Sequence, residues 1–195
     1  NYTPKLCKLI DAKGGYAEVV SEMEYDLAIK LGVNPEMIIV NGPYKTKQAL
    51  EKFLLGGSIV NLDSYAEVEL LKTIVQSHFD KKFSIGLRCN FEINNASISR
   101  FGFDVESDNF GAMFSEISNI DNVVINGIHC HFPNRDLESY SYRVDKILEL
   151  AQRLFSTPPK YIDIGGGFFG KMKGSLKAQF STPTVEYGAY ANLIA

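Results

Sequence analysis

Residues 160–170 read Lys160-Tyr161-Ile162-Asp163-Ile164-Gly165-Gly166-Gly167-Phe168-Phe169-Gly170. A short apolar run ends abruptly in glycine, the form of a strand that stops where its chain must turn. Glycines permit a tight turn and bring bare N–H groups against an anion, which suits a phosphate. No helical pattern follows directly, as a GxGxxG dinucleotide loop requires, and GxxxxGK[ST] is absent, so both of those nucleotide loops are excluded. A phosphate-holding loop and a tight turn without a ligand both fit these residues taken alone.

Outward from this strand, β-branched runs alternate with helical patterns to both ends of the chain. Thr3 and Pro4 open a first helix with Leu6, Leu9 and Ile10 on one face, and Gly14-Gly15 stop it. Tyr16 to Val20 reads as a strand, and Ser21 begins a helix carrying Leu27, Ile29 and Leu31, with Glu24 placed for a capping box. Met37–Val40 and a Thr46-capped helix through Leu50 and Phe53 repeat the unit. Ser58–Val60 and a Ser64-capped helix through Glu67, Val68, Leu71 and Ile74 repeat it again. A strand over Phe83–Leu87, a polar stretch from Asn90 to Arg100 and a helix over Phe110–Ile117 follow. Val123–Ile128 is the next strand, Tyr140–Phe155 a long helix, Lys160–Ile164 the last strand and Thr184–Ala195 a helix.

About six strand–helix units in strict alternation predict an α/β protein with a parallel sheet covered by helices. An open doubly wound sheet and a (β/α) barrel both satisfy the pattern. A complete eight-unit barrel takes about 250 residues, so 195 residues fit an incomplete barrel or a whole open sheet.

Composition bounds the function classes. With 45% hydrophobic and 22% charged residues the chain is globular rather than disordered or fibrous. A net charge of −3 leaves no basic excess to attract nucleic acid. No apolar run is long enough for a membrane span, and the start lacks a signal-peptide pattern. Cys7, Cys89 and Cys130 form no CxxC pair and are too scattered for a disulfide framework, which fits a reducing, cytoplasmic setting. The first residue is Asn1 rather than methionine, so processing, a domain boundary or an excised segment is expected there.

In either architecture chemistry gathers where strands end. The polar residues at those ends are Glu18, Asn41, Asp63, Arg88, His129, His131 and Asp163. Alternation puts His129 and His131 on one face and Cys130 on the other. Metal binding by HxH without a third ligand is a weak reading. One histidine satisfied in the core and the other stacking on a planar ring or moving a proton is the competing one. Arg88 can pair with a carboxylate or phosphate. Glu18 facing the sheet interior needs a cationic partner. Lys45, with Lys47, reads as a solvated helix start, and the tyrosines and phenylalanines read as core.

Taken in order, Ala17-Glu18-Val19-Val20-Ser21, Gly42-Pro43-Tyr44-Lys45-Thr46, Leu62-Asp63-Ser64, Leu87-Arg88, Ser99-Arg100-Phe101-Gly102-Phe103, Gly127-Ile128-His129-Cys130-His131 and Asp163-Ile164-Gly165-Gly166-Gly167-Phe168 form one pattern. It resembles the pyridoxal-phosphate-dependent ornithine/diaminopimelate/arginine decarboxylases of the alanine-racemase-like fold, over essentially the whole chain. The resemblance implies a (β/α)8 TIM-type barrel, here incomplete, with pyridoxal 5′-phosphate as cofactor and residues 1–195 as part of the cofactor-binding barrel domain. It implies His131 as the catalytic histidine stacked on the cofactor ring. Gly165, Gly166 and Gly167 match the loop whose backbone holds the phosphate, and Arg88 the strand-end arginine near the ring's phenolic oxygen. Glu18 stands where the family has aspartate near the Schiff base, and Asn134 where many members have a phosphate-binding serine. No metal is implied.

The resemblance also implies groups outside these residues. Asn1 matches the asparagine of the family's K-x-N segment, which puts the Schiff-base lysine two positions upstream of Asn1. The pyridinium-pairing glutamate, the catalytic cysteine and a cofactor-contacting tyrosine belong to later barrel strands and a C-terminal β-domain. The expected activity of the intact protein is therefore decarboxylation of a basic or diamino amino acid, with a homodimer as the working unit and the segment alone inactive. The stretch from Cys89 to Ser99 is short and lacks a threonine-histidine element, which counts against diaminopimelate as substrate. A non-catalytic pyridoxal-phosphate-binding or regulatory homologue is the alternative, and the departures at Glu18 and Asn134 point toward it.

Overall fold

A computed structural model of the chain describes residues 3–93 and 99–195. Asn1, matched above to the K-x-N asparagine, and the middle of the Asn90–Arg100 stretch lie outside the described residues. The strands are β1 (Ala17–Val19), β2 (Ile38–Val40), β3 (Ile59–Leu62), β4 (Phe83–Asn90), β5 (Phe103–Asp104), β6 (Val123–His129) and β7 (Tyr161–Asp163). The helices are α1 (Pro4–Asp11), α2 (Glu22–Lys30), α3 (Lys47–Leu55), α4 (Tyr65–Ser77), α5 (Asp108–Ser118), α6 (Leu137–Leu154), α7 (Gly174–Lys177) and α8 (Tyr187–Ile194).

Six strands run parallel in the order β1-β2-β3-β4-β6-β7, with β5 a short parallel addition on β4. Neighbours in space are neighbours in sequence. A doubly wound sheet reverses its order at a switch point, and no reversal occurs among the described strands. This order decides between the two architectures and makes the sheet an incomplete (β/α) barrel.

Side-chain alternation separates two layers. Val19, Val40, Val60, Leu62, Ile85, Leu87 and Ile128 are buried in one core cluster. It is shared with Leu50 and Phe53 of α3, Leu71 and Ile74 of α4, Phe110 and Ile117 of α5, and Ile147 and Leu150 of α6. The alternate positions meet on the other face and, Ile39 of β2 apart, include Glu18, Asn61, Gly86, Arg88, Gly127, His129, Tyr161 and Asp163. Tyr161 Oη donates to Asn61 Oδ1 at 2.7 Å, joining β7 to β3. A Cβ at Gly127 would come within 2.5 Å of the Tyr161 ring, and one at Gly86 within 2.0 Å of its hydroxyl. These glycines of β6 and β4 open the space that the ring crosses. The sheet thus curls around Tyr161.

The caps read from sequence form. Ser21, Thr46 and Ser64 accept from the N–H groups of Glu24, Ala49 and Glu67, satisfying first-turn donors. Glu24 reaches back to the Val20 N–H and Glu67 to the Asp63 N–H, so each box closes one residue ahead of the cap. β4 runs on to Asn90 rather than stopping at Leu87, which carries Arg88 inside the sheet. Two apolar faces differ from expectation. On α1, Leu6, Leu9 and Ile10 are exposed, and on α2 the buried residues are Tyr25 and Ala28, with Ile29 exposed. Aromatic residues are likewise not uniformly core: Tyr44 and Phe79 are exposed.

Candidate functional site

The parallel register aligns Arg88 of β4 with His129 of β6, and His129 with Asp163 of β7. One row of polar side chains therefore crosses three strand ends. Asn41, just past β2, donates through Nδ2 to Asp163 Oδ2 at 2.9 Å and lies 3.1 Å from Glu18 Oε1. Its Oδ1 accepts from Asn61 at 2.6 Å. The ends of β1, β2, β3 and β7 are stitched across the interior by this amide. His129 is buried, with Nδ1 3.0 Å from Asp163 Oδ2, although the direction falls outside hydrogen-bond geometry. Burial works against ionisation of Asp163. The His129 contact, the Asn41 amide and the Gly165 N–H outweigh burial and hold the carboxyl at about 2.

Glu18 departs from expectation. Its side chain is exposed, its partner is the Asn41 amide, and it makes no ion pair with a described residue. Solvent and an amide take the place of the required cation.

Arg88 is clamped. Its Nη1 donates to Asp63 Oδ1 at 2.8 Å, and the guanidinium lies 5.2 Å from the Phe101 ring centre. Asp63 Oδ2 accepts the Gly102 N–H at 3.1 Å. Gly102 has φ +80°, and a Cβ there would lie 2.9 Å from the Arg88 carbonyl oxygen. The glycine of Arg100-Phe101-Gly102-Phe103 thus lets that loop close over Arg88. Lys45 also departs from expectation: it is buried, donating to Glu67 at 2.9 Å and to the Gly42 carbonyl at 2.7 Å. Burial lowers the Lys45 pKa and raises that of Glu67 despite their attraction. Glu67 in turn accepts from the backbone of Asp63, so a buried chain of charges runs from Lys45 to Arg88.

His131 stands beside the glycine turn. Its Nδ1 accepts the Gly166 N–H at 3.4 Å. Gly165 has φ +71°, and a Cβ there would lie 2.6 Å from the Cys130 carbonyl and 2.8 Å from His131 Nδ1. Gly167 has φ +98°, whereas space around a Cβ on Gly166 is open. His131 keeps a pKa below the ordinary imidazole value through partial burial, with Arg88, His129 and Arg143 adding positive charge nearby. The structure therefore brings His131 and Gly165–Gly167 together, beside the row that holds Arg88. No cluster of three or more metal-ligating side chains forms among the described residues.

Sequence reading missed the supports behind this turn. Tyr140 of α6 donates its hydroxyl to the Gly166 carbonyl at 2.6 Å, and its ring stacks on Phe168. Arg143, one turn further, donates to the Ile164 carbonyl at 3.3 Å and to the Asn134 carbonyl at 3.0 Å. Tyr190 of α8 packs edge-on against Tyr140 and donates to the Arg135 carbonyl. The i, i+3 spacing of Tyr140 and Arg143 on one helix face was the available signal. For Asn61 and Tyr161 it was strand alternation.

A family model described as "Pyridoxal-dependent decarboxylase, pyridoxal binding domain" matches residues 1–191. The diaminopimelate decarboxylase of Aquifex aeolicus is 31% identical over 185 residues, covering 89% of this chain and 44% of that protein. That of Archaeoglobus fulgidus is 24% identical over 173 residues, 83% of this chain and 41% of the relative. This chain thus spans less than half the length of these relatives, whose named substrate is the one the short Cys89–Ser99 stretch pointed away from. Among solved structures, diaminopimelate decarboxylase from Helicobacter pylori complexed with L-lysine superposes with a TM-score of 0.79 at 21% identity, covering 98% of this chain and 50% of that one. The arginine decarboxylase of Paramecium bursaria Chlorella virus superposes at 0.74 and 21% identity, covering 98% and 49%. The two structures share the fold of the alanine-racemase-like decarboxylases with this chain. The cofactor of such a domain is pyridoxal phosphate. Matched over nearly its whole length, the chain belongs to the pyridoxal-dependent decarboxylase family, through its pyridoxal-binding domain.

Proposed function

We propose that this chain forms the cofactor-holding part of an amino-acid decarboxylase whose substrate is a basic or diamino amino acid. The observation that carries the proposal is the meeting of the His131 imidazole with the Gly165–Gly166 turn at one rim of the sheet. The residues suit the cofactor's shape. A flat imidazole packs so closely on the turn that a Cβ at Gly165 would meet it, space beside Gly166 is open, and a positive guanidinium with an unpartnered Nε is buried behind the turn.

Pyridoxal phosphate, when bound, supplies an electron sink for the charge left as carbon dioxide departs. This chain's part is to hold it. His131 offers a ring face for stacking, and its depressed pKa keeps that ring uncharged near neutrality. The Gly165–Gly167 backbone, with Asn134, receives the phosphate. Arg88, immobilised by Asp63 and Phe101, directs its charge toward the ring's phenolic oxygen. Glu18 stands where an amine enters, held in place by Asn41. The buried Lys45 is committed to Glu67 and Gly42; on the family resemblance at Asn1 the imine-forming lysine is proposed to lie outside these 195 residues, which alone would be inactive. We further propose that a C-terminal β-domain and a second subunit complete the site.

The relatives' names favour a substrate with amino and carboxylate groups at both ends. The test is carbon dioxide release by the full-length protein from meso-diaminopimelate, lysine, ornithine and arginine. Release from one of them, with the yellow absorbance of bound cofactor, is expected. A colourless protein that releases none would overturn the proposal and favour a regulatory role.

A further inference from the structure

Arg143 is fully buried on α6, yet it makes no ion pair with any described residue. Two of its nitrogens donate to the carbonyls of Ile164 and Asn134, and the third, Nε, has no partner. Its guanidinium lies 4.0 Å from the Tyr140 ring centre and 5.4 Å from that of Phe132. Asp136, an acid that feels its charge, is occupied in capping α6 through Ser139. A buried charge with only neutral partners is unfavourable unless something opposite completes it. The carbonyls that Arg143 grips belong to the two loops that converge on the Gly165–Gly167 turn, one after β6 and one after β7.

We propose that Arg143 is a positioning residue for the phosphate subsite. Its charge stands behind the glycine turn as the counter-charge to a bound phosphate, and its fork fixes the two loops that form the cradle. The proposal rests on the reading of this site as a pyridoxal phosphate site. Arg143 need not touch the ligand, because a charge in a dry interior acts over several ångströms. Its influence on neighbouring groups is consistent with this: it contributes to the lowered pKa of both His131 and Asp136. The ligand is set apart by its anionic tail, so the effect of Arg143 falls on the phosphate and not on the ring.

The experiment compares pyridoxal 5′-phosphate with pyridoxal, which lacks the phosphate, by titrating the cofactor-free full-length protein. In Arg143→Gln the preference for the phosphorylated ligand is expected to fall about tenfold or more, while pyridoxal affinity stays within about twofold. Arg143→Lys, which keeps a cation and loses the fork, is expected to retain part of the preference, between Arg143→Gln and wild type. It also serves as the deciding arm if Arg143→Gln does not fold. An unchanged preference in Arg143→Gln, or equal loss of both ligands, overturns the assignment and leaves Arg143 a purely structural tie. So does a folded Arg143→Lys that has lost the preference. A wild-type protein that shows no preference would instead sink the cofactor reading itself.

Discussion

Three consecutive glycines at the turn are not equivalent, and their differences separate stability from binding. Gly165 combines a left-handed backbone with a Cβ direction blocked by the Cys130 carbonyl. Gly165→Ala is therefore expected to destabilise the protein by about 2 kcal/mol or more. A Cβ on Gly166 meets no heavy atom within 4 Å. Gly166→Ala should leave thermal stability within about 0.5 kcal/mol of wild type while weakening pyridoxal phosphate binding, because its methyl enters the cradle. Denaturant titration and cofactor titration on the pair check both halves. A Gly166→Ala protein that binds the cofactor as wild type does would remove that glycine from the site.

At the scale of elements, Tyr161 shows how one strand shapes three others. Its ring passes over Gly127 and Gly86 before its hydroxyl reaches Asn61. Gly86→Ala places a methyl about where that hydroxyl sits, and overpacking of this kind costs about 1–3 kcal/mol. Tyr161→Phe removes one of the two oxygens that such a methyl would meet at 2.0 Å, the other being Asn61 Oδ1, and strands an acceptor on Asn61, for about 1 kcal/mol by itself. The double variant is expected to be more stable than the sum of the single effects, with the coupling measured by urea denaturation. Strictly additive losses would mean that Asn61 Oδ1, and not the Tyr161 hydroxyl, sets the cost of a methyl on Gly86. Such a contact was not legible in sequence, where Gly86 reads only as a weak point in a strand and Tyr161 as another core aromatic. Order and caps were legible because Ser21, Thr46 and Ser64 act within one turn of themselves, whereas the end of β4, at Asn90 rather than Leu87, was not. The partners of Lys45 and Glu18 were not. Whether a lysine is buried depends on Glu67, which lies 22 positions away, and whether a glutamate needs a cation depends on how far the sheet closes over it. The supports on α6 went unread for a related reason: Tyr140 and Arg143 gain meaning only once the turn they hold lies beside them.

For the molecule as a whole, the tie between its first and last described strands passes through Asn41 and Asp163. Asp163 has a folded pKa of about 2, below the ordinary aspartate value of about 3.9. Its contribution, about 2 kcal/mol, is present in full above pH 4 and is lost as the pH falls from there through 2. Asp163→Asn should therefore be less stable than wild type at pH 6, with the gap closing as the pH falls below 4. Urea midpoints at pH 6, 4 and 3 would show this. A gap that does not change with pH would mean that the carboxyl gains nothing from these neighbours.

The phenol that spans the barrel also decides how the molecule is filled. The space between β3 and β7 is taken by a side chain of the protein's own, so a guest that settles among these strands sits beside Tyr161 rather than across it.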